Sequence, residues 1–397
     1  MAATHDRPTG AGSAGVVERT RILTTHTGSL PRPPALERAM LDRLEGTPVA
    51  EADLAVLVAE ATAEVVERQR KAGLDVINDG ELGKESYSSY VIERLEGFGG
   101  ESDVLIMRDL IDYPEAAAAM AVDDGFTHLR RPACVGPVTR SSAADRLIAR
   151  DIELLRAGIG GAGPDEVFMT AVSPGTIAMF MTNRHYPDHE SYLVALAEAM
   201  APEYRAIVNA GFTLQVDCPD LGCWGSLIRH DASTAELVDI ARLHLDVLDG
   251  ALAGLPPERM RMHVCWGNYE GPHHHDIPFA AIAQPVLDAR PAGLLIEASN
   301  PRHQHEWAVF GDLKIPDGKV VIPGVVDSTV NYIEHPEVVA QRIERYARVV
   351  GRDNVMAGTD CGFGTFVGLR ECIPALAWAK LESLAQGAAI ASERLWR

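Results

Sequence analysis

The stretch Arg261-Met-His263-Val-Cys265-Trp-Gly-Asn268 starts with strand-forming residues and ends in a polar turn, which predicts the end of a buried strand. Residues two apart in a strand point to the same face, so we expect the side chains of His263 and Cys265 to aim at one point. Two later apolar runs also end in a possible metal ligand, at Glu297 and at Cys361. Imidazole, thiolate and carboxylate together form a ligand set that tetrahedral zinc accepts.

Strand-like apolar runs alternate with helical stretches along the rest of the chain. The predicted strands end at Thr25, Asn78, Ala171, Asp217, Cys265, Glu297, Asp327 and Asp360. Eight alternating units of strand and helix predict an α/β fold, a single (β/α)8 TIM barrel with its site at the carboxyl ends of the strands. A doubly wound sheet is the alternative, but the turn after the first strand lacks the glycine pattern of a phosphate-binding loop.

The regular alternation fails in two places. Residues 1–20 are rich in glycine, alanine and charge without apolar periodicity, which predicts a disordered leader before a barrel domain covering 21–397. Residues from about 94 to 141 break the rhythm again and predict an inserted segment with one or two accessory strands.

Composition excludes several classes of function. The chain of 397 residues has a formal net charge of -20, which argues against a partner nucleic acid and favours a small-molecule substrate. It has no apolar run of about 18 residues and no apolar signal core near Met1, so we expect a cytoplasmic protein without a membrane span. The six cysteines are too few for a dense disulfide framework and favour metal binding or packing.

Six short motifs at strand ends carry a resemblance to a known family. They are Gly28-Ser29-Leu-Pro31, Asp79-Gly80-Glu81, Val216-Asp217-Cys-Pro219, His263-Val-Cys265, Ile296-Glu297-Ala-Ser299 and Asp360-Cys361-Gly362. In type and order they resemble the catalytic barrel of cobalamin-independent methionine synthase, over nearly all of residues 22–397. The resemblance is to the short form with the catalytic barrel alone, a group that also includes the epoxyalkane:coenzyme M transferases.

The resemblance implies roles for these residues. His263, Cys265, Glu297 and Cys361 match the family's zinc ligands. Glu81 and Asp217 match the carboxylates that hold the amino group of homocysteine, and Ser29 lies in the loop that receives its carboxylate. The implied cofactor is Zn2+, and the implied reaction transfers a methyl or alkyl group to a small thiol activated as a zinc thiolate.

This chain departs from the family where the methyl donor binds. The family's Asp-x-His motif, whose histidine acts as an acid towards folate, is Asp327-Ser-Thr329 here. We predict Asp327 and His26 as catalytic residues, with His303, His305 and the run from 273 to 275 as other histidines near strand ends. Phe180 is nearest to the family's folate-stacking tryptophan.

Other interpretations of the same residues stay open at this point. His263 and Cys265 are also compatible with buried packing, and Glu81 and Asp217 with helix caps. Lys84 and Arg32 either bind an acidic group of the substrate or lie at the rim without a role.

Three other functions are compatible with the pattern. The main alternative to homocysteine methylation is thiol opening of an epoxide by coenzyme M. A barrel resembling uroporphyrinogen decarboxylase and a zinc-delivery protein without turnover are the others. The thiol, the electrophile and the oligomeric state are left open.

Overall fold

The computed structural model describes residues 19–120, 130–160, 167–369 and 372–397. The predicted leader falls almost wholly outside these ranges. Within them, no helix combines the length and apolar character needed to cross a membrane.

The chain alternates strands and helices, as predicted from the sequence. The strands are β1 Leu23–Thr24, β2 Leu95–Gly99, β3 Ala133–Arg140, β4 Phe168–Val172, β5 Thr213–Asp217, β6 Met260–Val264, β7 Gly293–Glu297, β8 Val320–Val326 and β9 Met356–Thr359. The helices are α1 Pro34–Leu44, α2 Glu51–Lys71, α3 Arg108–Asp112, α4 Pro114–Met120, α5 Ala144–Ile159, α6 Pro174–Phe180, α7 His189–Asn209, α8 Asp220–Leu227, α9 Thr234–Ala251, α10 Phe279–Asp288, α11 Pro336–Val350 and α12 Pro374–Leu395.

Seven strands form one parallel sheet in the order β1-β9-β8-β7-β6-β5-β4. Seven of the eight predicted strands are therefore present, with the register that places their carboxyl ends at one edge. The sheet itself is not closed, because β1 and β4 are its two outer strands.

The predicted second strand, residues 74–78, is not a regular strand. The carboxylate of Asp75 accepts hydrogen bonds from the backbone N–H and the hydroxyl of Thr24, at 2.8 and 3.0 Å, in place of a regular ladder. The segment still touches both outer strands. Asp75 and Val76 donate to the carbonyl of Thr24, and Phe168 donates to the carbonyl of Ile77.

Buried side chains on the two faces of the parallel sheet form separate clusters. The large cluster lies between the sheet and the helices. A small second cluster contains Val76 and one side chain from each of four strands, Phe168, Leu295, Ile322 and Met356. Parallel strands covered on both faces are apolar along their length, which explains the continuous apolar runs in the sequence.

β2 and β3 form a separate antiparallel pair within the predicted accessory segment. Two short helices, α3 and α4, follow β2, and residues 121–129 lie outside the described ranges. Accessory strands were expected here, while the status of the segment as an insertion stays a prediction.

Candidate metal centre and substrate pocket

Three of the four predicted metal ligands come together at the carboxyl edge of the sheet. His263 lies in β6, Cys265 follows that strand, and Cys361 follows β9. Each offers one ligand atom, and these atoms all lie within 4.8 Å of one another. The Nε2 atom of His263 is 3.8 Å from the sulfur of Cys361, and all three side chains are buried.

Glu297 is adjacent to this group but is not a member of it. The pairing of Val264 with Ile296 places the last residue of β7 beside Cys265. One carboxylate oxygen of Glu297 accepts from the N–H of Trp266 at 2.8 Å, and the other accepts from Asn300 at 3.1 Å. Burial raises the pKa of Glu297 to about 7.

The neighbouring cysteines shift one another's pKa values. Hydrogen bonds from Cys223 and Cys361 hold the pKa of Cys265 well below its usual range, and the same contact with Cys265 raises the pKa of Cys361. Burial lowers the pKa of His263, but the charge and hydrogen bond of Cys265 and the charges of Asp217 and Glu297 together outweigh burial, so the net shift is upwards. The sulfurs of Cys265 and Cys361 and the imidazole of His263 form a soft donor set that fits zinc.

Cys223, on α8, also belongs to this neighbourhood, although it lies in none of the six motifs. Its sulfur is 3.6 Å from the carbonyl oxygen of Cys265. Helix positions are not fixed by strand periodicity, so no pattern in the sequence linked Cys223 to the thiols.

Glu81 and Asp217 form a buried carboxylate pair beside the metal candidates. Asp217 ends β5 and accepts a 2.7 Å hydrogen bond from Gln215. Burial, followed by the charge of Glu81, raises the pKa of Asp217 to about 7. Glu81 has a left-handed backbone with φ of 56°, and its Oε2 atom is buried without a hydrogen-bond partner. Two close carboxylates, one with an unused oxygen, suit a cationic ligand.

Gly28 permits the close approach of Glu81 to the first loop. A Cβ atom at Gly28 would lie 2.4 Å from Oε1 of Glu81 and 2.8 Å from Thr170. Ser29, next in the chain, is buried, and a Cβ atom at Gly362 would lie 2.0 Å from its hydroxyl. The loop after β1 is thus packed against both the carboxylate pair and the Cys361 loop.

The two predicted cations have partners on the backbone. The ammonium of Lys84 donates to the carbonyl and hydroxyl of Thr170, both at 2.8 Å, and lies 4.5 Å from the ring centre of Tyr90. Arg32 donates to the carbonyls of Gly364 and Lys84, both at 2.7 Å. These contacts favour a role in holding loops over direct contact with a substrate.

An aromatic group lies on another side of the thiols. Phe180 makes an edge contact with Tyr87 at 5.9 Å, and Tyr87 makes another with Phe366 at 5.6 Å. Burial raises the pKa of Tyr87 well above its usual value, and the charges of Cys265 and Cys223 add to this effect. Tyr87 was overlooked in the sequence because it lies in an irregular serine-rich loop with no motif.

The two residues predicted as catalytic have different surroundings. His26 is fully buried, with its Nε2 atom 2.8 Å from Gln69 and its ring 5.3 Å from Phe168. Burial lowers the pKa of His26 to about 3, so these contacts do not favour it as an acid. Asp327 accepts from the N–H and hydroxyl of Thr329, at 2.8 and 2.9 Å. It lines a small pocket together with Glu297 and Cys361.

His303, another of the predicted histidines, packs against the residue that follows Cys265. His303 stacks on Trp266 at 4.0 Å and contacts Asp276 and Glu306 at 3.0 and 2.8 Å. Burial lowers the pKa of His303, but these two carboxylates raise it to about 10. His303 therefore supports the loop that carries Cys265 and Trp266.

Known proteins resemble this chain along most of its length. Residues 22–123 match the family model described as cobalamin-independent synthase, catalytic domain. A methionine synthase of Saccharolobus solfataricus is 24% identical over 379 residues, covering 94% of this chain and 96% of that protein. The uncharacterized protein YxjH of Bacillus subtilis is 26% identical over 370 residues, covering 90% of this chain and 91% of that protein.

One solved structure has the same overall fold. It is a B12-independent methionine synthase from Shewanella sp. W3-18-1 in complex with selenomethionine, with a TM-score of 0.71 and 20% identity. The match covers 94% of this chain and 99% of that chain. At this identity the likeness shows the arrangement of helices and strands.

Proposed function

We propose that this chain is a member of the cobalamin-independent methionine synthase family and transfers a methyl group to homocysteine in a zinc-dependent reaction. The observation that carries the proposal is the carboxylate pair, Glu81 and Asp217, beside the cluster of His263, Cys265 and Cys361. A thiol that also bears an ammonium group would use both features at once.

The proposed zinc ligands are His263, Cys265 and Cys361, with Glu297 as the fourth. When bound, zinc acts as a Lewis acid that lowers the pKa of a coordinated thiol, which is otherwise near 8.5. Glu297 is the weakest of the four donors, since Trp266 and Asn300 already occupy its oxygens. It is therefore the ligand that we expect to give way to the sulfur of a substrate.

The carboxylate pair orients that sulfur. The free Oε2 atom of Glu81 and the oxygens of Asp217 would accept hydrogen bonds from the substrate ammonium, and these charge-assisted bonds are among the stronger ones in proteins. Ser29, in the loop against Gly362, is the proposed contact for the substrate carboxylate. Fixing both ends of the amino acid leaves the sulfur directed at the metal candidates.

We also propose that residues 75–77 complete the parallel sheet as a barrel of eight strands. Val76 packs with Phe168 and Met356 in the small second cluster. Residues 75–77 also form backbone hydrogen bonds to β1 and β4, the two outer strands. Side chains stacked in layers inside a closed ring are the usual filling of this fold.

The residues of the site indicate less about the methyl donor than about the thiol. Thr329 stands where the family has an acidic histidine, so a donor that needs a proton on its leaving group is disfavoured. A corrinoid-bound methyl group has no such need. Tyr87 and Phe180 provide an aromatic wall for either kind of donor.

The alternative reaction, epoxide opening by coenzyme M, requires cations around a sulfonate. Glu81 and Asp217 would repel that group, and Lys84 and Arg32 are bonded to backbone carbonyls. Neither charge balance nor the named relatives favour this alternative.

The deciding experiment uses zinc-loaded protein, homocysteine and a panel of methyl donors, with methionine formation as the readout. X-ray absorption at the zinc edge, with and without homocysteine, reports whether a sulfur is added to the shell. We expect one added sulfur with homocysteine and none with coenzyme M. Addition of sulfur only with coenzyme M would overturn the homocysteine assignment, and absence of bound zinc would overturn the metal assignment.

A further inference from the structure

A second cluster of metal-ligating side chains lies where α3 meets the loop after β6. Asp109, His274 and His275 place one ligand atom each within 4.8 Å of one another. Asp112, one turn further along α3, contacts both rings through one oxygen, at 2.9 Å from His274 and 2.6 Å from His275. We refer to these four residues as the rim cluster.

The contact between His274 and Asp109 has the geometry of two ligands more than that of a hydrogen bond. The Nδ1 atom of His274 is 3.0 Å from Oδ1 of Asp109, yet this buried nitrogen has no hydrogen-bond partner. The two atoms are close but not aligned for an N–H to point at the oxygen. Atoms that share a metal ion point at the ion and not at each other.

Asp109 is held in place as a metal-binding carboxylate usually is. Its side chain is fully buried. One oxygen accepts from the hydroxyl of Tyr269 at 2.9 Å, and the other accepts from the N–H of His275 at 2.8 Å. Outer partners of this kind orient a ligand and are part of built metal sites.

His273 turns the loop after β6 towards α3. His273 has a left-handed backbone with φ of 52°. Its buried ring bonds to Asp276 at 2.7 Å and to the carbonyl of Tyr269 at 3.1 Å. Backbone strain at a non-glycine residue persists where the surroundings fix it. Here it directs the next two histidines at the acidic side chains of α3.

We propose that the rim cluster binds a second divalent transition-metal ion, held by Asp109, His274 and His275, with Asp112 bonded to the other ring nitrogen of His274 as an outer partner. Two imidazoles and one carboxylate form a borderline donor set without sulfur, and the negative charges of Asp109 and Asp112 balance a dication. Such an ion joins the segment after β2 to the loop that carries Cys265, because its ligands come from both.

The test counts cobalt ions on the metal-stripped full chain by calorimetry and absorbance. Two ions per chain are expected. Thiolate-to-cobalt absorption reports the ion at Cys265 and Cys361, whereas the rim ion contributes none. Cys361→Ser should remove the thiolate signal and leave the rim ion. The pair His274→Gln and His275→Gln should remove one ion and leave the thiolate signal.

The matched control is the pair His185→Gln and His305→Gln, two exposed histidines outside the rim cluster, which should leave both ions bound. Asp112→Asn, at a half-exposed position, provides a second variant if the double substitution impairs folding. Loss of only the thiolate-free ion in either rim variant supports the proposal. Saturation of the unaltered protein at one ion that carries the thiolate signal, or an unchanged count in both rim variants, overturns it without bearing on the thiol site.

Discussion

The thiol cluster and the carboxylate pair lie at the ends of neighbouring strands but are held in different ways. Cys265, Cys361 and His263 mainly contact one another, and the Nδ1 atom of His263 is buried without a partner. Asp217 is instead held by Gln215, which accepts a 2.8 Å hydrogen bond from Arg261. The guanidinium of Arg261 also bonds to the hydroxyl of Thr25 at 2.8 Å.

This difference indicates how each part would hold its ligand. The ligand atoms of the thiol cluster lie close together with few hydrogen bonds to other groups, so we expect a bound metal to fix their geometry. The carboxylate of Asp217 is positioned by hydrogen bonds within the protein. Substitutions in the thiol cluster should abolish methyl transfer. Substitutions in the carboxylate pair should mainly weaken the binding of homocysteine.

The largest effect is expected for Cys361→Ser, which removes a soft ligand from the thiol cluster. Zinc content and methyl transfer should fall together, with activity reduced by more than about 100-fold because a metal contributes several kcal/mol to the transition state. Metal analysis and turnover check this. Cys134→Ser, in β3, is the matched control. Retention of both zinc and turnover in Cys361→Ser would mean that the site is misassigned.

Glu81→Gln should come second and should act on binding. Loss of a charge-assisted hydrogen bond to the ammonium predicts a rise in KM for homocysteine of about 10- to 100-fold. Zinc content should not change. Glu85→Gln, whose side chain pairs with Arg130 at 2.9 Å, serves as the control. An unaltered KM, or loss of zinc, would break the distinction between the two parts of the site.

Gly28→Ala should give a similar but smaller defect without removing any charge. The added methyl group would displace Glu81, whose Oε1 lies 2.4 Å from its position. We expect KM for homocysteine to rise by about tenfold, as for a contact worth about 1.4 kcal/mol. Gly46→Ala also has a positive φ but meets nothing within 4 Å, so it carries the backbone cost alone. Equal kinetics in the two variants would show that Glu81 needs no such space.

The smallest effect is expected for Tyr87→Phe, which keeps the ring between Phe180 and Phe366 and removes only the hydroxyl. Loss of one neutral hydroxyl group predicts a change in kcat below about tenfold. Steady-state kinetics with homocysteine checks this, and Tyr186→Phe is the control. A much larger fall would identify Tyr87 as the acid that replaces the family's histidine.

The sequence predicted those parts of the site that depend on strand ends. Parallel strands bring their carboxyl ends to one edge, so His263, Cys265 and Cys361 were predictable as neighbours although they are far apart in the chain. Residues outside the strands could not be predicted as neighbours in this way. Cys223 and Tyr87 lie on a helix and in an irregular loop, where no period relates position to direction.

Local hydrogen bonds also account for two features that the sequence pattern did not show. Residues 74–78 have the composition of a strand, but the Asp75 carboxylate bonds to Thr24 and interrupts the regular ladder. His26 follows a strand, as a catalytic residue would, but its ring is bonded to Gln69 on α2. Neither side-chain partner could be identified from apolar periodicity.

The irregular segment at residues 75–77 also has a consequence for motion. This segment makes fewer main-chain bonds to β1 and β4 than the regular strands make to one another, and weakly bonded segments open first in native-state exchange. Glu81 follows this segment by four residues. We therefore expect amide exchange to begin at residues 75–77. Binding of homocysteine should slow this exchange, because its ammonium group would link Glu81 to Asp217.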